Sequence, residues 1–203
     1  KMRPISVGES ILRCAHRMLA KKLNLPIQKV LEPLQFGVCT KGGCEVIASI
    51  AQLTFDQGMV GTQPEGDRYN VQIGLDLPNG FNNMRRRPMF DAIRSMCPQL
   101  LRTFRAFYQH PSLLVGKSNN AEMGVVGYCE SGIKQGDPLS AAYFSFALAP
   151  ALTEINTLLN TEHAHALSTG RYVHAFIDDI LLRGDGLTLA RNLQRIEEII
   201  LQA

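Results

Sequence analysis

The sequence predicts an α+β fold. Three observations carry this expectation: long stretches with apolar residues at helical spacing, short stretches of strict alternation, and turn-rich segments joining alternating stretches as hairpins. At 203 residues the chain can bury a core, as one domain or one large piece of a domain. Its 45% hydrophobic and 19% charged residues are ordinary for a globular protein, and a net charge of +3 permits nucleic-acid binding without demanding it. Cys14, Cys39, Cys44, Cys97 and Cys129 form no Cys-x-x-Cys pair, which reads as reduced intracellular thiols rather than a disulfide framework. No signal peptide, transmembrane run or lipidation motif stands out. A start at Lys1 and an end at Ala203, inside a helical pattern, read as a piece of something longer.

In order, Lys1 to Val7 reads as a short strand with Arg3 at its start, and Ser10 is placed to cap a helix with Ile11, Leu12, Ala15, Met18, Leu19 and Leu23 on its apolar stripe. Asn24 to Pro33, with two prolines, reads as a connector. Gln35 to Glu45 holds three glycines, as a tight turn or close backbone approach requires, and a helix follows to about Gln57. Gly58 to Asn70 reads as a surface loop. Val71, Ile73 and Leu75 alternate as a strand that ends at Asp76. Helices are expected over Arg85 to Cys97 and from Pro98 to Tyr108, then a hairpin of Leu113–Val115 with Gly124–Tyr128. Gly132 to Ser140 is turn-rich, Leu139 to Leu159 is a long apolar helix, and Leu187 to Leu201 is a closing amphipathic one.

The stretch Tyr172 to Gly184 organises the rest. Apolar residues run up to Asp178-Asp179 and away again. Two adjacent carboxylates in such a run need a partner or a cation. A hairpin with the acids at its turn satisfies that need and presents oxygens to a hard divalent ion. A turn that merely contains Asp fits the same letters. If the strand ending at Asp76 neighbours this hairpin, the acids meet, and two divalent ions between them would clamp an in-line phosphoryl displacement.

Asp76-Leu77-Pro78-Asn79-Gly80-Phe81-Asn82, Gly132-Ile133-Lys134-Gln135-Gly136-Asp137-Pro138-Leu139-Ser140 and Phe176-Ile177-Asp178-Asp179 resemble, in order, the three core motifs of a reverse transcriptase palm. Gln-Gly-Asp-Pro-Leu is most similar to polymerases of non-LTR (LINE-type) retrotransposons, and Arg3-Pro4-Ile5 and Gln35-Phe36-Gly37 resemble the fingers motifs that precede the palm. The resemblance covers nearly the whole chain. It implies a right-hand polymerase fold with a small antiparallel palm sheet packed on helices and no thumb. Residues 1–68 would be partial fingers, 69–109 the first palm motif and its helices, and 110–203 the remaining fingers and palm.

The resemblance also assigns roles. Asp76 and Asp178 would bind two Mg²⁺ ions, with Mn²⁺ as a substitute, and the Leu77 carbonyl would add a ligand. Asp179 would be required with less direct contact. Phe81 matches the aromatic beneath the incoming sugar that excludes a 2′-hydroxyl; a core aromatic fits the same position. Gln135 would lie beside the incoming nucleotide, with Gly136 and Pro138 shaping its loop, and Asp137 fits a helix cap as well. Arg3 would grip the triphosphate. Gln35, Phe36, Gly37 and Lys41 are assigned to template handling, where a packed fingers loop fits equally. Arg85-Arg86-Arg87 reads as a solvated helix face. His174 reads as a structural strand histidine, and His110, His163 and His165 form no zinc set with the cysteines. The sequence departs from the family at Pro78, Gly80 and Ile177, none of them a metal ligand. The implied partners are an RNA template, a DNA primer and dNTPs, in the nucleus or a cytoplasmic ribonucleoprotein. An RNA-synthesising polymerase and a non-catalytic nucleic-acid-binding palm are the rival readings.

Overall fold

The computed structural model describes residues 8–60, 70–117, 123–162 and 172–203. Arg3-Pro4-Ile5, His163 and His165 lie outside them. Among the described residues eight α-helices and five strands follow in an α+β order: α1 Ser10–Lys22, α2 Asn24–Leu31, α3 Gly43–Val60, β1 Asn70–Asp76, α4 Gly80–Asn83, α5 Arg86–Met96, α6 Leu101–Tyr108, β2 Ser112–Lys117, β3 Met123–Cys129, α7 Ser140–Glu162, β4 Val173–Phe176, β5 Asp179–Asp185 and α8 Gly186–Gln202. A 3-10 turn at Pro98–Leu100 leads into α6. Among the described residues no helix is long and apolar enough to cross a membrane. The residues group into two compact units, each built from two stretches of chain: Lys1–Pro26 with Pro78–Ala147, and Ile27–Leu77 with Leu148–Ala203.

In the first unit, Glu9 rather than Ser10 caps α1; its carboxylate accepts from the Ile11 and Leu12 N–H groups. A carboxylate at a helix start also complements the helix dipole. The face of α1 turned inward runs through Leu12, His16, Leu19 and Leu23, so Ile11, Ala15 and Met18 of the expected stripe stand exposed. The core of this unit is aromatic. Phe104, Tyr108 and Tyr143 meet ring to ring, with centroids 5.1–5.8 Å apart, over Met89, Ile93 and Leu100. Aromatic rings bury large areas and add edge and offset-stacking terms to that burial.

In the second unit the sheet order is β1-β5-β4, antiparallel throughout. Alternation sorts its faces: Val173, Ala175, Ile180 and Leu182 lie buried together on one side. The other side carries Gln72, Asp76, Asp179 and His174. α3 packs against β1 and β4, and α8 against β5. The Gln72 amide donates to the Ala51 carbonyl of α3 at 2.7 Å. Asn156 of α7 accepts from the Tyr172 N–H at 2.9 Å, which fixes where β4 begins.

The expected connector at Asn24 to Pro33 is instead helical as far as Leu31. Pro26 stands in the first turn of α2, where an N–H has no intrahelical partner to lose. The reading of prolines as breakers fails there for that reason.

Candidate active site

β4 and β5 form a hairpin closed by the two residues Ile177 and Asp178, with Phe176 opposite Asp179. On the far side of β5, β1 runs antiparallel in a register that sets Leu75 opposite Ile180 and Asp76 opposite Asp179. The hairpin expected at Asp178-Asp179 and the strand expected to end at Asp76 are therefore neighbours in one sheet. Directly opposed residues project from the same face with Cβ atoms about 5 Å apart. Asp178 adjoins Asp179, so its Cα lies within about 9 Å of that of Asp76, one strand spacing plus one peptide step.

Asp76 and Asp179 are exposed and Asp178 half-buried. No hydrogen bond or ion pair to any of these three side chains occurs among the described residues. Like charges facing each other across a strand pair repel, and nothing described neutralises them. No group of three or more His, Cys, Asp or Glu side chains converges on one point among the described residues. Hard carboxylate donors are nonetheless the right chemistry for Mg²⁺. That ion keeps several waters and takes one or two carboxylates plus substrate phosphates, so a facing pair with a third acid beside it suits it. Leu77 follows directly and is half-buried.

The hairpin turn rests on Leu34–Gly37. Phe36 N–H donates to Ala175 O at 2.8 Å and Ala175 N–H to Leu34 O at 2.6 Å, a short parallel bridge along the outer edge of β4. Gln35 is fully buried. Phe36 is buried and stacks on His174, with centroids 5.8 Å apart, which gives that histidine the structural place expected of it. Of the four residues assigned to template handling, only Lys41 presents an exposed side chain.

Phe81, Gln135 and Gly136 belong to the first unit. Phe81 is half-buried and lies parallel to the buried Phe144 ring at 4.8 Å. The loop carrying Gln135 is fastened to the turn carrying Phe81. Gly132 N–H donates to Met84 O at 3.0 Å, and Ile133 N–H to Phe81 O at 2.8 Å. Gly132 has φ +62°, and a Cβ there would strike the carbonyl oxygens of Phe81 and Asn82. Gln135 is half-buried with no hydrogen-bond partner among the described residues. Gly136 is exposed at φ +116°, a backbone shape that favours glycine.

Behind this loop Asp137 is the hub. Its carboxylate accepts from His16 Nδ1 at 2.8 Å, from Tyr108 Oη at 2.9 Å and from Leu139 N–H at 2.9 Å. It is thus the expected start-of-helix cap for α7, tied as well to α1 and α6. Burial, and then the Asp137 charge, pushes the Tyr108 phenol well above its usual value; Tyr143 moves the same way for the same causes. Arg86 holds the chain leading into the loop. Its guanidinium donates to Gly132 O and Cys129 O at 2.9 Å and to Tyr108 O at 3.3 Å. Within the arginine run Arg86 is therefore a structural anchor, not part of a solvated face. The sequence reading passed over His16 and Tyr108. The available signal was a histidine at the centre of an otherwise apolar face of α1.

An antiparallel sheet with facing acids at its end, in one unit, and a glycine-bearing loop leading into a buried helix, in the other, are the elements of a nucleotide-polymerase palm. The family described as "Reverse transcriptase (RNA-dependent DNA polymerase)" matches residues 1–203, and the chain belongs to it. It is 25% identical over 186 residues to the retrovirus-related Pol polyprotein from type-2 retrotransposable element R2DM of Drosophila melanogaster, which agrees with the non-LTR likeness of its middle motif. That match covers 89% of this chain and 16% of the relative, so the chain spans a small part of that protein's length. Among solved structures it is similar in fold to the apo telomerase from Candida tropicalis truncated from its C-terminal domain. The TM-score is 0.56 at 11% identity, covering 95% of this chain and 37% of the other.

Proposed function

We propose that this chain is the fingers-and-palm core of an RNA-directed DNA polymerase that extends a primer 3′ hydroxyl with dNTPs on an RNA template. One observation carries the reading: Asp76 at the end of β1 and Asp179 at the start of β5 face each other with no partner among the described residues, with Asp178 in the adjoining turn. Asp76, Asp178 and the Leu77 carbonyl would hold Mg²⁺, with Asp179 supporting. When bound, such ions lower the cost of deprotonating the attacking hydroxyl and neutralise charge on the phosphates.

The protein's own residues do the rest. The half-buried Phe81, backed by Phe144, sets a rigid wall where the sugar of an incoming nucleotide would lie, and a 2′-hydroxyl would meet it. Gln135 offers an uncommitted amide, donor and acceptor together, to sugar and phosphate. Gly136 lets backbone approach the nascent pair. Arg3 is assigned to the triphosphate and Lys41 to the template strand. The template RNA, the primer and an intracellular ribonucleoprotein setting belong to the same proposal.

The test is primer extension by the full-length protein on an RNA template with Mg²⁺ or Mn²⁺. Extension with dNTPs, abolished by Asp178→Asn and by Asp76→Asn, is expected. Activity that survives Asp178→Asn refutes the mechanism. Incorporation of NTPs as fast as dNTPs refutes the role of Phe81.

A further inference from the structure

We propose that Gln35 is a positioning residue that holds the Asp178-Asp179 turn in the shape that presents its acids. The proposal rests on the polymerase reading for its purpose, but not for its geometry.

Ile177 has φ +57°. It is the first central residue of a two-residue hairpin turn, and Asp178, the second, does not share the positive φ. That is the pattern of a type II′ turn, whose first central position favours glycine. A β-branched side chain there is a marked outlier, and such a conformation persists only where its surroundings over-determine it. The strain sits one residue before Asp178.

The surroundings that fix it belong to one side chain. Gln35 Oε1 accepts from the Ile177 N–H at 2.7 Å, and Gln35 Nε2 donates to the Ile177 carbonyl at 3.2 Å. One amide thus grips both backbone polar groups of the strained residue. Gln35 Oε1 also accepts from the Gly37 N–H, two residues on, at 3.0 Å. The side chain is 0% exposed, so breaking these bonds would strand buried polar groups that water does not reach. The approach of the two segments is close enough to dictate residue 37 as well. A Cβ on Gly37 would lie 2.5 Å from Ile177 Cγ1 and N. The parallel bridge of Leu34–Phe36 to Ala175 fixes the base of the lever. These contacts leave the Gln35 amide no surface for a template strand. Partners that orient ligand-bearing segments typically change metal affinity or activity 10- to 100-fold when removed.

The experiment uses the full-length protein, wild type and Gln35→Met, the latter matching in length and lacking both hydrogen-bonding groups. Exchange of the Ile177 amide is followed by mass spectrometry or NMR. Mn²⁺ binding without substrates is read by electron paramagnetic resonance, and kcat is separated from template–primer Kd. Ile177→Gly, which removes the steric objection to positive φ, is crossed with Gln35→Met. The expected result for Gln35→Met is faster Ile177 exchange, Mn²⁺ affinity and kcat each about 10- to 100-fold lower, and unchanged template–primer Kd. In the Ile177→Gly background the same substitution is expected to cost less than about threefold in Mn²⁺ affinity, because glycine adopts the turn unaided.

Unchanged Ile177 exchange in folded Gln35→Met overturns the proposal. So does a loss confined to template–primer Kd, or an equal loss in the glycine background. If Gln35→Met does not fold, Gln35→Glu is read in its place; it keeps an acceptor for both N–H groups and lacks the donor to the Ile177 carbonyl. Faster Ile177 exchange in a protein whose wild type binds no Mn²⁺ would remove the polymerase reading and leave the clamp standing.

Discussion

Replacing Asp76 by Asn should raise stability without divalent cations and lower it with them. The facing pair is exposed on both sides, so water sets the dielectric. Two unit charges about 5 Å apart then repel by roughly 0.8 kcal/mol, and physiological salt with a Debye length of about 8 Å halves this to ~0.4 kcal/mol. For a chain of this length that corresponds to a rise in Tm of about 1–2 °C for Asp76→Asn in EDTA. With Mg²⁺ at ten times its Kd, wild type gains about 1.4 kcal/mol by mass action. The variant, with one carboxylate fewer, gains little, so the order of stabilities reverses. Thermal or urea unfolding of both proteins, in EDTA and across a Mg²⁺ series, reads this directly. A variant less stable than wild type in EDTA, or equal Mg²⁺ responses in the two proteins, refutes the argument that a cation relieves this repulsion.

Other outcomes follow from the first unit. Arg86→Met strands the carbonyls of Gly132, Cys129 and Tyr108 and should cost about 2–4 kcal/mol in urea unfolding. Arg87→Gln loses an exposed pair with Asp91 and an exposed contact over the Phe90 ring and should cost under about 1 kcal/mol. Gly132→Ala forces a Cβ into two backbone carbonyls at positive φ and should lower soluble yield and Tm more than any other single methyl added to this loop. Tyr143→Phe removes a buried hydroxyl without a hydrogen-bond partner among the described residues and should be neutral or stabilising by up to about 1 kcal/mol, whereas Tyr108→Phe removes the bond to Asp137 and should destabilise. Both phenols are held above their unfolded value of about 10. The folded state binds those protons more tightly, so their contribution is complete below about pH 10 and is lost as pH rises beyond it. An unfolding free energy that declines above that pH, less steeply in Tyr143→Phe, checks the sign.

The sheet was readable because its signals are local. Alternation at Val71, Ile73 and Leu75 puts these half-buried residues on the face of Ile180 and Leu182, and the apolar flanks of Asp178-Asp179 reflect period-two burial. That β1 lies beside β5 was not readable from spacing; it came from the order of motifs and is realised as a register seven residues long. Asp137 was legible as a cap because capping is local, while its bonds to His16 and Tyr108 cross 121 and 29 residues of sequence. Arg86 looked like its two neighbours because a run of identical letters hides which of them points inward. Gln35 was assigned to template handling because the letters Gln-Phe-Gly mark a motif without revealing whether a side chain in it is exposed. Only the fold, which brings residue 35 against residue 177, determines that.

The choice of a neutral amide at residue 35 has a physical logic. A turn that carries two acids would be held most simply by a nearby arginine, whose fork binds carboxylates strongly. Such a residue would also neutralise the acids and compete with any cation they were meant to receive. Glutamine grips Ile177 through its backbone N–H and carbonyl, groups without net charge, and fixes the turn while leaving the carboxylates uncompensated. Gln35→Arg is then the sharpest variant. If the acids serve a cation, an added guanidinium near the turn should weaken Mn²⁺ binding beyond the loss seen in Gln35→Met, and raising ionic strength should narrow the gap. Equal Mn²⁺ affinity in the two variants would mean that the charge of the residue at this position does not matter, and that the amide was selected for its shape alone.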